Sequence, residues 1–170
     1  NGTLDLHNVT VGAEPVTLAG GTIKDVTSSL SGDIVLTANS TVSATNSVDI
    51  LTLSGVISES GGSFGLTKTG DGTVILGASS NSTYSGGTTV NAGTLKAGSS
   101  NAPFGTGAVT VASGASVDVN GQTVANNITL EGTGVGGYAL FNSNASAGTV
   151  SGGITLANSA TIGGSNPVNI

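Results

Sequence analysis

The chain has 170 residues, of which 7% are charged and 3% aromatic, with 29 glycines and a formal net charge of -6. Three lysines and no arginine give no basic footprint for nucleic acid or for an anionic membrane surface. Low charge with ample Val, Ile and Leu is also the reverse of the disordered signature.

Val, Ile, Leu and Thr favour pleated strands while Gly, Asn and Ser favour turns, and the strong helix formers are scarce, so the chain is predicted to be nearly all β. Without cysteine it has no disulfides and no thiolate metal site. No apolar run is long enough to span a bilayer, and no direct membrane insertion of this segment is expected. Because there is no methionine, residue 1 is expected to be a processed or excised end.

In chain order, short apolar-Thr-apolar triplets and their relatives mark the strands. They are Val9–Val11, Val16–Leu18, Ile34–Leu36, Leu51–Leu53, Val74–Leu76, Val109–Val111, Ile128–Leu130 and Ile154–Leu156. Their recurrence at roughly 20–25 residues lies in the range of a solenoid. Gly-Gly, Asn-Gly and Ser-Gly turns lie between them, so each period holds two or three strands. An immunoglobulin-like sandwich would need longer strands and larger core residues. In "AVTVASGASVDVNGQTV" (108–124), Val109, Val111, Val117 and Val119 can share one face, with Thr110 and Asp118 on the other. Small β-branched residues in a narrow interior suit a right-handed parallel β-helix, with residues 1–170 as one solenoid segment of a longer protein. At a rise of roughly 4.8 Å per rung, about seven or eight rungs would make a rod on the order of 35 Å long. Phe64, Tyr84, Phe104, Tyr138 and Phe141 are expected to plug wide corners of the core.

Residues 65–98, "GLTKTGDGTVILGASSNSTYSGGTTVNAGTLKAG", carry an ordered pattern. It runs through Leu66, Lys68, Gly70, Gly72, Val74 and Leu76, then Asn81, Thr83, Tyr84, Gly86, Gly87, Thr88, Val90, Ala92, Gly93, Thr94 and Leu95. This pattern resembles the autotransporter-associated β-strand repeat, or passenger-associated transport repeat, of bacterial type V secreted proteins. "PFGTGAVTVASGASVDVNGQ" (103–122) is similar to the usual continuation of such passengers. The resemblance implies a β-helical passenger exported through a C-terminal barrel to the bacterial cell surface, with a repeat that assists transport. A one-dimensional stack can propagate folding rung by rung, which fits that role.

The residue types that do chemistry are sparse. Gly132, Gly134 and Gly137 spell GxGxxG, but in so Gly-rich a chain such a match arises by chance, and "YALFNSN" offers no phosphate-binding helix after it. Gly61, Ser63 and Gly65 spell GxSxG with no helix following and only the distant His7 as a base. His7 and Asp5 could share a strand face. Asp25 with Asp33, and Asp49 with Asp71, could face each other as a glycosidase pair would, but no basic cluster or aromatic platform accompanies them. Neither Asp33 in "SGD" (31–33) nor Asp71 in "GDG" (70–72) offers a calcium cluster. No catalytic, cofactor-binding or metal site is predicted, and no cofactor.

Three functional readings follow. The first is an extracellular structural scaffold that supports export and display. The second is an adhesin whose Thr, Ser and Asn ladders meet a cell-surface or glycan ligand. The third rests on the ends: neither "NGTLDL" nor "GGSNPVNI" looks like a cap, and from Gly132 to Ile170 there is no charge. Copies could therefore stack end to end into filaments. A polysaccharide-active β-helix enzyme is the remaining alternative.

Overall fold

Every triplet read from the sequence falls in a strand, Val9 excepted, and the Gly- and Asn-rich segments between them turn the chain around a prism. The computed structural model describes residues 2–170. One face is an eight-stranded sheet running from Thr3–Asp5 to Ile154–Ala160, and a second eight-stranded sheet runs from Thr10–Val11 to Ile162–Gly163. The third side has two three-stranded sheets: Val16–Ala19, Ile34–Ala38 and Ile57–Glu59 near one end, and Thr123–Val124, Gly148–Val150 and Val168–Asn169 near the other. The pairings on all sides are parallel, each strand lying on its counterpart one turn later. The result is a right-handed β-solenoid of about eight rungs. Its turns differ in length: Thr3 registers with Thr22, whereas Thr41 registers with Thr67.

Alternation along the strands fills the interior with stacked columns. On the first face Ile23, Val42, Lys68, Val90, Val111 and Leu130 follow one another in register, and all are buried. On the second, Leu51, Val74, Leu95, Val117 and Leu140 do the same. Parallel register places like beside like, so each side chain meets a partner above and below at the strand spacing of about 4.8 Å. The outermost members of the first column, Leu4 and Leu156, lack a neighbour on one side and are 40% and 57% exposed. Within the described residues, the first and last strands of this face are each paired on one side only.

In rungs four and five the third side has no strand. The segments 77–87 and 98–108 replace it, and Tyr84 and Phe104 fill the widened corner with no exposure at all. These two are the core plugs that the sequence led us to expect. The remaining aromatics depart from that expectation: Phe64 and Phe141 are half-buried, and Tyr138 is 37% exposed. Phe141 stands on the outward register of the second face, and Tyr138 follows a short 3-10 turn at Val135–Gly137 that lifts it out of the stack. No helix among the described residues is long and apolar enough to cross a membrane.

Candidate functional site

Strand alternation forces Lys68 inward. Leu66 and Lys68 lie two residues apart on Leu66–Thr69, so both point to the core, and Lys68 is fully buried between Val42 and Val90. Its ammonium donates to the carbonyls of Gly70 at 2.6 Å, Ala92 at 2.9 Å and Thr69 at 3.1 Å. Those three bonds use all of its donors. No carboxylate pairs with it among the described residues. Burial pushes its pKa from 10.5 down to about 8, a shift that the charge of Asp71 partly opposes. Lys68 thus stays protonated at neutral pH and ties the turn after its own strand to the matching turn one rung later. Gly93 makes that approach achievable, since a Cβ there would stand 2.6 Å from Nζ and closer still to the Gly72 carbonyl.

A second polar node sits at the other end of the same face, where Thr88 registers with Leu66. Thr88 Oγ1 donates to the Phe104 carbonyl at 3.0 Å, which leaves it to accept from the Tyr84 hydroxyl at 2.7 Å. Burial raises the Tyr84 phenol well above its usual range, so it stays neutral and serves as a donor. Asn126 completes the corner from the next rung by donating to the carbonyls of Gly105 and Gly107 at 3.0 and 2.7 Å. The strandless stretch is thereby tied down by side chains where ladder bonds are missing.

On the outside of the first face, one threonine per strand holds the same register: Thr3, Thr22, Thr41, Thr67, Thr89, Thr110, Thr129 and Thr155. Each is exposed or half-buried, so an uncharged row of hydroxyls and methyls runs the length of the solenoid. The outer side of the second face differs. There Lys96 and Asp118 pair at 3.3 Å in register, and Ser143 donates to Asp118 Oδ2 at 2.6 Å and accepts from Lys96 at 2.9 Å. Asp118 points outward as its sequence predicts, yet the segment around Ser143 covers it to 2% exposure.

The acidic residues weighed as pairs from the sequence are engaged separately. Asp25 is buried and its Oδ1 accepts from the Asn8 amide, whereas Asp33 is exposed at a corner and accepts from the Val56 amide. Asp49 turns back on Asn46, and Asp71 lies exposed in the Lys68 turn. Asp5 bonds Lys24 at 2.9 Å, the contact that chiefly holds its carboxyl below the usual range, and the His7 side chain is not its hydrogen-bonding partner. Ser63 meets only the Ser85 hydroxyl, and the Gly132–Gly137 stretch commits its Val135 amide to Ser116. No group of three metal-ligating side chains occurs among the described residues. One buried polar atom has no partner there, Asp25 Oδ2. Two features escaped sequence reading: that the motif lysine is a core residue, which alternation from Leu66 could have shown, and that Tyr138 and Phe141 emerge side by side, which nothing local signals.

Comparison with known proteins bears on this junction. The passenger-associated-transport-repeat family matches residues 66–97, the stretch that supplies Lys68, Tyr84, Thr88 and Gly93. The chain is also 46% identical over 82 residues to the adhesin BmaC autotransporter of Brucella suis biovar 1 (strain 1330). That alignment takes in 47% of this chain and 2% of the relative, so the chain spans a very small part of the protein that it matches. No solved structure matches the chain. Residues 66–97, which match the passenger-associated-transport-repeat family, are built into the fourth and fifth rungs of a parallel β-solenoid.

Proposed function

We propose that this segment is a non-catalytic extracellular scaffold within a longer autotransporter passenger, displayed at the bacterial surface, whose repeat secures the solenoid during and after export. The observation that carries this reading is where the repeat spends its polar residues. Lys68, Tyr84 and Thr88 are buried and bonded to backbone or to each other, and none faces solvent as a ligand site would. A chain of low charge, without cysteine, also suits passage through a pore and folding by stacking on rungs already formed. The matched relative's name as an adhesin favours adhesion as the business of the whole passenger, with this segment as its support. The test is to remove residues 66–97 from the exported parent protein and to measure surface display and cell attachment separately. Display should fall, and attachment should fall only in proportion to it. Unchanged display with lost attachment would replace the scaffold reading by a direct adhesive one.

A second reading is end-to-end assembly of copies of this segment. It is favoured by the exposed apolar residues Leu4 in the first strand and Leu156 and Ile170 in the last rung. Light scattering across a concentration series should show growing mass if the ends dock. Constant monomer mass would remove this reading.

A further inference from the structure

We propose that the groove beside Tyr138 and Phe141 is a subsite for a neutral β-linked sugar, bound by stacking of its flat C–H face on the two rings. The groove has a volume of about 460 Å³ and is lined by Val135, Tyr138, Phe141, Ser143, Ser165 and Asn166 among others. That size falls within the range of small-ligand clefts. Its aromatic character follows from the register of the second face. Phe141 takes the outward position, and the next residue in that column is Gly163, where the Tyr138 ring takes the place of a side chain. A Cβ on Gly163 would lie 3.1 Å from the Tyr138 ring, so the glycine also makes room for the tyrosine to lie beside it.

Tyr138 is 37% exposed and Phe141 half-buried, in a chain that buries its other tyrosine completely. Tyr138 makes no side-chain hydrogen bond among the described residues, whereas Tyr84 is bonded to Thr88. An aromatic face with a free hydroxyl at its edge suits a ligand that is apolar on one side and polar at its rim. Ser165 and Asn166 supply hydroxyl and amide groups at that rim.

Charge narrows the class. None of the residues that line the groove is charged, and Lys96, which reaches Ser143 at its edge, is paired with Asp118. The groove therefore presents no charge of its own, which favours a neutral ligand. A neutral, all-equatorial pyranose chain presents the matching flat face and ring of hydroxyls. This inference goes beyond the scaffold reading and is independent of the export role.

The test is an NMR titration of the purified chain with cellotetraose, and with a hyaluronan tetrasaccharide as a probe of similar linkage but negative charge. Cellotetraose should shift the ring signals of Tyr138 and Phe141 and leave those of Tyr84 and Phe104 in place, with a Kd of roughly millimolar order, as a shallow single subsite allows. Tyr138→Ala should weaken binding about tenfold, and Tyr138→Phe should hold it within about twofold, because the ring face rather than the hydroxyl carries most of the contact. Thr89→Ala, on the other face, should change nothing. Unmoved ring signals at saturating sugar, equal binding by Tyr138→Ala, or tighter binding of the hyaluronan fragment would each overturn the proposal. Surface display of the Tyr138→Ala parent protein should stay intact, so failure here leaves the scaffold reading standing.

Discussion

Replacing Lys68 with alanine is expected to destabilise the solenoid by about 3–5 kcal/mol, since it opens a cavity between Val42 and Val90 and orphans three half-buried carbonyls at once. Lys68→Met keeps most of the volume and should cost less, about 1–3 kcal/mol, mainly for the carbonyls. The two variants also separate packing from charge. Burial holds folded Lys68 at about 8 against an ordinary 10.5. Between those values the unfolded chain carries a proton that the folded chain has released, so this group makes stability rise with pH through that window. Below pH 8 the cost of burying the ammonium is fully present. Urea midpoints measured on both sides of the window should therefore climb in the wild type relative to Lys68→Met. A constant difference between the two would mean that the lysine titrates at its ordinary value and is not enclosed as described.

The second large effect is expected at Gly70. Its φ of 75° lies in the left-handed region, and a Cβ there would collide with the carbonyl of Ala44 in the rung beneath. Gly70→Ala must therefore shift backbone in two rungs and move one of the Lys68 acceptors, at a cost of about 3 kcal/mol or more. Gly61 supplies the control: its φ is 88°, but a Cβ there would have no neighbour within 4 Å. Gly61→Ala should cost only the conformational strain, about 1–2 kcal/mol. Thermal unfolding of the pair checks this directly, and equal losses would show that rung contact at Gly70 contributes nothing.

The solenoid was legible because composition and period are properties of the whole chain. Small β-branched residues, turn glycines and recurrent triplets leave few architectures open, and a right-handed parallel β-helix with short strands is what the structure shows. The triplets themselves, however, mix faces. Val16–Leu18 and Ile34–Leu36 belong to the third side, Leu51–Leu53 and Val74–Leu76 to the second face, and Ile128–Leu130 and Ile154–Leu156 to the first. Steps between them do not measure a turn. The true frame is the threonine row, whose members sit at one register in all eight strands of the first face. It is hidden in the sequence because threonine is abundant and the rungs differ in length.

The site was less legible for a related reason. Whether a motif lysine is a surface charge or a core pin depends on which carbonyls the following rung brings near it, and Ala92 is 24 residues away. The same holds for the aromatics. Tyr84 and Tyr138 look alike in sequence, but one meets Thr88 inside a widened corner and the other is lifted out by the turn at Val135–Gly137. Asp118 shows the limit of alternation: its direction was readable, while its burial under Ser143 comes from a segment 25 residues later.

The central claim is that residues 66–97 lock the solenoid from within. Amide hydrogen exchange of the folded chain, read by mass spectrometry over peptides from this stretch and from both ends, tests it most directly. The slowest amides should lie in Leu66–Thr69, Thr73–Leu76 and Thr94–Ala97, while Thr3–Asp5 and Ile154–Ala160 exchange fastest, and Lys68→Met should erase much of that contrast. Exchange over 66–97 as fast as at the ends, or unchanged by Lys68→Met, would contradict the claim.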